Sequence, residues 1–122
     1  MDEVTRGRCL DKLTKRREVV MITLRHLEKE QHEADENNDW LDQAAYNSRV
    51  ALLDRLTEGY LKENSEIDRA ITRINERTYG LCVACHEPIE TRRLEAFPEV
   101  EFCSGCKEMR EEFEETEELS AH

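Results

Sequence analysis

With 39% of its 122 residues charged against 38% hydrophobic, and a single Trp, the chain is sized for one domain but has little material for a large compact core. Its 29 acidic against 18 basic residues give a net charge of −11, which opposes direct binding to a phosphate backbone. The longest mainly apolar run, Val19 to Leu24, falls far short of the roughly 20 residues that span a bilayer, and the opening Met-Asp-Glu-Val is no signal peptide. A soluble, cytoplasmic protein with no membrane association is therefore expected.

The first element is a long helix. Leu10, Leu13, Arg17, Val20, Leu24, Leu27, Gln31 and Ala34 recur at alternating spacings of three and four, a heptad seam with two polar interruptions and no Gly or Pro inside it. At about 27 residues and 1.5 Å rise it would reach roughly 40 Å, the length of a coiled-coil arm that needs a partner helix. Cys9, beside Arg8 just before this seam, reads as an ordinary free thiol.

After the break Asp35-Glu-Asn-Asn38 a second seam follows: Tyr46, Arg49, Leu53, Leu56, Tyr60, Glu63, Ile67, Ala70 and Ile74. A link of a few residues forces neighbouring helices to run antiparallel, so a hairpin is predicted over 8–78 with an acidic tip near 35–45. Gly59 costs this helix about 1 kcal/mol relative to Ala and marks a soft spot or bend. Gly80 suits a left-handed C-cap at its end.

Asp39 and Asp42 fall at the tip. Acids in a first turn accept orphan N–H groups and complement the helix dipole, at about 0.3 to 1 kcal/mol each, and from the residues alone capping is their leading role. Trp40 beside them either contacts a partner or closes the end of the hairpin core.

Between Tyr79 and Lys107 stand CxxC, seventeen residues, and CxxC again. Two thiolates on each of two tight turns supply the four sulfurs of a closed tetrahedral zinc site, so Cys82, Cys85, Cys103 and Cys106 are the expected ligands and zinc the expected cofactor. A module of about thirty residues with few large apolar side chains would draw much of its folding free energy from the metal. The spacing also admits two disulfides, disfavoured without a secretory segment, while a redox CxxC would sit beside a βαβ pattern that is missing. His86 follows Cys85 but four sulfurs already complete a tetrahedron, so it reads as a surface residue.

Val100 to Phe102 suggests a short strand before the second cysteine pair. Beyond the finger at 79–107, residues 108–119 read as an acidic C-terminal helix with Met109, Phe113 and Thr116 on a packing stripe. The fold expected is mainly α: a long antiparallel two-helix coiled-coil hairpin, a small four-cysteine zinc-finger module and a C-terminal helix. No phosphate-binding Gly loop and no nucleophile constellation is present, so the chain is not expected to be an enzyme.

The run YGLCVACHEPIETRRLEAFP, the second CxxC and the helical hairpin together resemble the DksA/TraR family of bacterial transcription factors, over roughly residues 10 to 115. Counted back from Cys82 without a gap, Asp39-Trp-Leu-Asp42-Gln-Ala44-Ala45 falls where that family carries its DxxDxA tip motif. The resemblance implies that the coiled coil enters the secondary channel of RNA polymerase, with Asp39, Asp42, Ala44 and Trp40 at the partner-binding tip and no specific DNA contact by the chain, which would act as a monomer.

Some relatives bind the alarmone ppGpp with basic side chains on helix two, in the RRLEARP-like stretch and after the last cysteine. Lys107 keeps the last of these charges as a possible ligand-binding residue, whereas Gly59, Glu66 and Phe97 fall at the other three positions. Arg55, Lys62, Arg69 and Arg92 are the nearby residues that could substitute for them. Independence from ppGpp at this site is the expectation. Two other functions compete with polymerase regulation: a zinc-stabilised coiled-coil adaptor for another protein, and a cleavage-stimulating factor acting in the same channel.

Overall fold

The computed structural model describes residues 1–40 and 42–120, excluding the side chains of Trp40 and of residues 113–120. Among the described residues four α-helices occur in chain order: α1 Glu3–Glu36, α2 Gln43–Glu76, α3 Thr91–Ala96 and α4 Ser104–Ser120. Among the described residues the only β structure is an isolated bridge between Leu81 and Pro88. No helix of these residues is both long and apolar enough to cross a membrane. The fold is mainly helical, as the seams require.

Two compact units divide the chain: Thr14–Asp68, and Met1–Leu13 together with the chain from Arg69 onward. In the first, α1 and α2 form an antiparallel hairpin. Val20, Leu27, Ala34, Leu53 and Ile67 are buried along the seam, and Arg17, Leu24, Gln31, Tyr46 and Tyr60 are half-buried. Burying branched and aromatic side chains at about 25 cal/mol per Å² is what holds so charged a pair of helices together. Its flanks carry Arg16 to Glu63 and Arg17 to Asp68 ion pairs.

The second seam lies one residue away from its expected position at two places. Val50 and Thr57 turn inward, while Arg49 and Leu56 are exposed. With Leu53 and Tyr60 at the centre of the stripe, the helical period of 3.6 puts 56 and 57 on its two shoulders, and here Thr57 is the half-buried one and Leu56 the exposed one.

Two boundaries also differ from expectation. α1 begins at Glu3, where the Asp2 carboxylate accepts the Thr5 backbone N–H at 2.7 Å; this N-cap holds the Asp2 carboxyl below its ordinary pKa. α2 ends at Glu76 rather than at Gly80. There Thr78 N–H donates to Arg73 O and Arg77 N–H to Ile74 O, the two bonds of a Schellman motif, and Arg77 takes the left-handed conformation at φ 63°. Gly59 lies within the continuous helix α2.

The other unit is built around the cysteines. Cys9, Leu13, Ala70, Ile74, Tyr79, Ile89 and Leu94 are buried in it. The Cys9 thiol donates to Leu94 O at 3.7 Å and Tyr79 Oη to Pro98 O at 2.8 Å, so Cys9 is a core residue rather than an accessible thiol. Burial, then the neighbouring Cys9, pushes the Tyr79 phenol well above its ordinary range. Gly80 sits at φ 93°, and a Cβ there would approach Met1 Cε to 3.0 Å, which explains a glycine at this turn.

Candidate metal centre and hairpin tip

The first cysteine pair lies on a tight turn. His86 N–H donates to Cys82 O at 2.9 Å and Cys82 N–H to Glu87 O at 2.8 Å, while His86 itself takes a left-handed φ of 64° to close the loop. The second pair straddles the start of α4, with Lys107 N–H donating to Cys103 O. These two local structures bring the four sulfurs together so that all lie within 4.8 Å of one another.

Cys85 and Cys103 Sγ are 3.8 Å apart, far beyond the about 2.05 Å of a disulfide, and none of the five cysteines is disulfide-bonded. A tetrahedron of sulfurs at about 2.3 Å from zinc has edges of about 3.8 Å. The donor set, its convergence and its spacing fit a zinc ion; His86 is not in the cluster.

The thiols differ in their surroundings. Burial works to raise the Cys82 pKa, but the backbone N–H groups of Cys103, Cys85 and Ala84 outweigh it and lower it to about 6. Cys106, crowded first by Cys103 and then by Cys82 and Cys85, is pushed up to about 12. Sulfurs gathered this closely resist ionising together, and a divalent cation supplies the charge that lets them do so.

At the hairpin turn, residues Asn38–Trp40 form one turn of 3₁₀ helix. Asp39 is exposed there. Asp42 caps α2: its Oδ1 accepts the Ala45 backbone N–H at 2.8 Å. Ala44 is exposed in the first turn of α2. Tyr46 Oη donates to Asp35 Oδ1 at 2.8 Å, tying the two helices beside the tip, and that bond raises the Tyr46 pKa. The side chain of Trp40, and Leu41, lie outside the described residues.

Residues 77–112 match the family model of the prokaryotic dksA/traR C4-type zinc finger. An uncharacterized protein of Aquifex aeolicus is 36% identical over 107 residues, covering 83% of this chain and 72% of its own length. The RNA polymerase-binding transcription factor DksA of Escherichia coli K12 is 30% identical over 95 residues, covering 78% of this chain. The transcription factor DksA2 of Pseudomonas aeruginosa has a solved structure that superposes with a TM-score of 0.83 at 29% identity, covering 94% of this chain and 89% of that one. The chain belongs to the DksA/TraR family. It spans 61% of the length of the Escherichia coli DksA it matches.

Within this DksA/TraR chain, zinc is the metal that the C4-type finger and its four convergent cysteines take. The expected strand at Val100 to Phe102 is absent, because the carbonyls of these residues are taken by side chains and by one loop amide rather than by a neighbouring strand. The supporting groups are Arg69, Arg73, Arg93 and Glu101, whose supporting role the sequence did not signal; Arg69 entered there only as a nearby cation. Met109 is 70% exposed, so the expected packing stripe on α4 does not begin there, and Phe113 and Thr116 lie outside the described side chains. Lys107 is exposed on α4, 3.8 Å from Glu111.

Proposed function

We propose that this chain is a non-enzymatic transcription regulator that binds RNA polymerase as a monomer, through the secondary channel, and modulates initiation without specific DNA contact of its own. The observation that carries the reading is the likeness to DksA2 over 94% of the chain together with the Asp39-to-Ala45 motif at the turn of the hairpin. Cys82, Cys85, Cys103 and Cys106 hold zinc and so keep the finger folded. Asp39, Trp40, Asp42 and Ala44 form the end that meets the polymerase near its catalytic centre. Carboxylates there act on polymerase elements beside the bound metal ion, or on the ion itself.

Asp42 offers a clean test because its capping role can be kept while its charge is removed. Asn is as good an N-cap as Asp, so Asp42→Asn leaves the hairpin folded and polymerase affinity close to that of the unmodified chain. In transcription with core polymerase and sigma factor, on a ribosomal RNA promoter and an amino-acid biosynthesis promoter, the regulatory effect should disappear. Wild-type regulation by Asp42→Asn defeats the tip reading; a chain that does not bind polymerase defeats the whole proposal.

The same reading includes independence from ppGpp at the family's coiled-coil and finger site. Gly59 offers no side chain, Phe97 is an exposed aromatic ring and Glu66 is acidic, which leaves Lys107 of the four positions. Of the nearby cations, Arg69 already binds Glu101 at 2.6 Å. Each charge-assisted phosphate bond contributes about 1.5 to 3 kcal/mol, so losing three weakens binding by orders of magnitude. Strong potentiation by ppGpp, on a polymerase stripped of its own separate ppGpp site, contradicts this.

A further inference from the structure

Immediately before Cys103, three consecutive carbonyls are each taken by a different part of the chain. Val100 O accepts from Arg73 Nη2 of α2 at 3.4 Å, Glu101 O from the Val83 N–H inside the first CxxC at 2.9 Å, and Phe102 O from Arg93 Nε of α3 at 3.2 Å. The Glu101 carboxylate adds two more links to α2, to Arg69 Nε at 2.6 Å and Arg73 Nη1 at 3.4 Å. The side chains of Arg73 and Glu101 are only 14% and 19% exposed.

Arg73 also serves the other cysteine pair. Its backbone carbonyl accepts Thr78 N–H at 2.9 Å and Tyr79 N–H at 3.1 Å, fixing the turn from which the chain runs through Gly80 to Cys82. One residue thus anchors, by its carbonyl, the approach to Cys82 and Cys85, and, by its guanidinium, the approach to Cys103 and Cys106.

We propose that Arg73, with Glu101, is a positioning residue for the zinc site: it sets the separation of the two cysteine pairs and thereby how tightly zinc is held. Neither side chain is a ligand. The Glu101 carboxylate bridges Arg69 and Arg73 while Arg73 also reaches Val100 O, so these contacts hold the 100–102 backbone at fixed distance from α2. Val83 N–H to Glu101 O then carries that constraint into the first turn. Outer-shell groups of this kind change metal affinity by about 10- to 100-fold when removed. The proposal rests on zinc binding by the four cysteines, which the unmodified chain tests separately: without zinc at one per chain, that reading falls first.

The experiment uses the zinc-loaded full chain in competition with a chromophoric chelator, comparing Arg73→Leu, Glu101→Ala and the conservative Glu101→Gln. Leucine and alanine variants should hold zinc about 10- to 100-fold more weakly, with Glu101→Gln intermediate. Cobalt substituted for zinc should show shifted ligand-field bands in the same order. Glu95→Ala, which removes the Arg8 ion pair elsewhere in this unit, should leave zinc affinity and the cobalt spectrum unchanged. Zinc affinity within twofold of the unmodified chain in both Glu101 variants overturns the proposal. So does a loss of zinc that comes with lost amide protection from Val20 to Leu27, since the ion pair would then support the fold at large.

Discussion

Between Thr14 and Asp68 the chain is held by repetition, with one apolar contact following another along a seam. In the cysteine unit a small core around Cys9, Ile74, Tyr79 and Leu94 is joined by single polar contacts, each made once. Val20 and Ile67 could exchange places with other aliphatic residues of similar size at modest cost. Arg73, Tyr79 and Arg93 could not, because each donates to one particular carbonyl. The contrast follows from supply: a module with few large side chains cannot bury its way to stability, and must combine metal, backbone turns and paired charge.

Removing the metal separates the two regions most sharply. Cys103→Ser should abolish stoichiometric zinc and, with it, amide-exchange protection from Leu81 to Cys106, while Val20 to Leu27 remain protected. Structural zinc contributes on the order of 10 to 16 kcal/mol in small fingers, so no other single change should have a larger effect. If both stretches lose protection together, the two regions fold as one and the contrast fails.

Within the hairpin, Ile67→Ala and Leu56→Ala probe where the seam runs. Ile67 is fully buried, and its truncation should cost about 2 to 5 kcal/mol in denaturant unfolding. Leu56 is 40% exposed, and its truncation should cost under about 1 kcal/mol. Similar costs for the two would return Leu56 to the seam.

That pair also marks how far the sequence could be read. The seam of α1 was legible throughout, because Leu13, Val20, Leu27 and Ala34 recur every seven residues at its centre and all four are buried. On α2 the large apolar Leu56 drew the reading away from Thr57, since periodicity says which face is apolar but not which shoulder a partner covers. The four cysteines were legible from spacing alone. Arg73 to Val100 and Arg93 to Phe102 were not, because they join residues 27 and 9 positions apart with no repeating signature. The left-handed turn at Arg77 escaped for a related reason: Gly80, three residues on, is the residue type such a position usually takes, and it has a turn of its own.

At the tip the expected effects are smaller and divide stability from function. Asp42→Ala removes the acceptor for Ala45 N–H and should cost about 1 kcal/mol by thermal unfolding. Asp42→Asn should stay within a few tenths of the unmodified chain. An equal loss in both would mean that the charge, rather than the cap, stabilises α2.

The last effect expected is a gain. Gly59 lies in the middle of α2, where glycine costs about 0.8 to 1 kcal/mol relative to alanine through the backbone freedom it gives up on folding. A Cβ placed there meets nothing within 4 Å, and the residue's φ lies outside the range in which glycine alone is comfortable. Gly59→Ala should therefore raise the stability of the hairpin by about 0.5 to 1 kcal/mol, read as a shift in the denaturant midpoint at constant slope. Zinc affinity should not change, since the substitution lies in the unit held by its seam. A destabilised Gly59→Ala would mean that the helix needs its glycine, and the soft spot or bend expected at this position would be the better account of the residue.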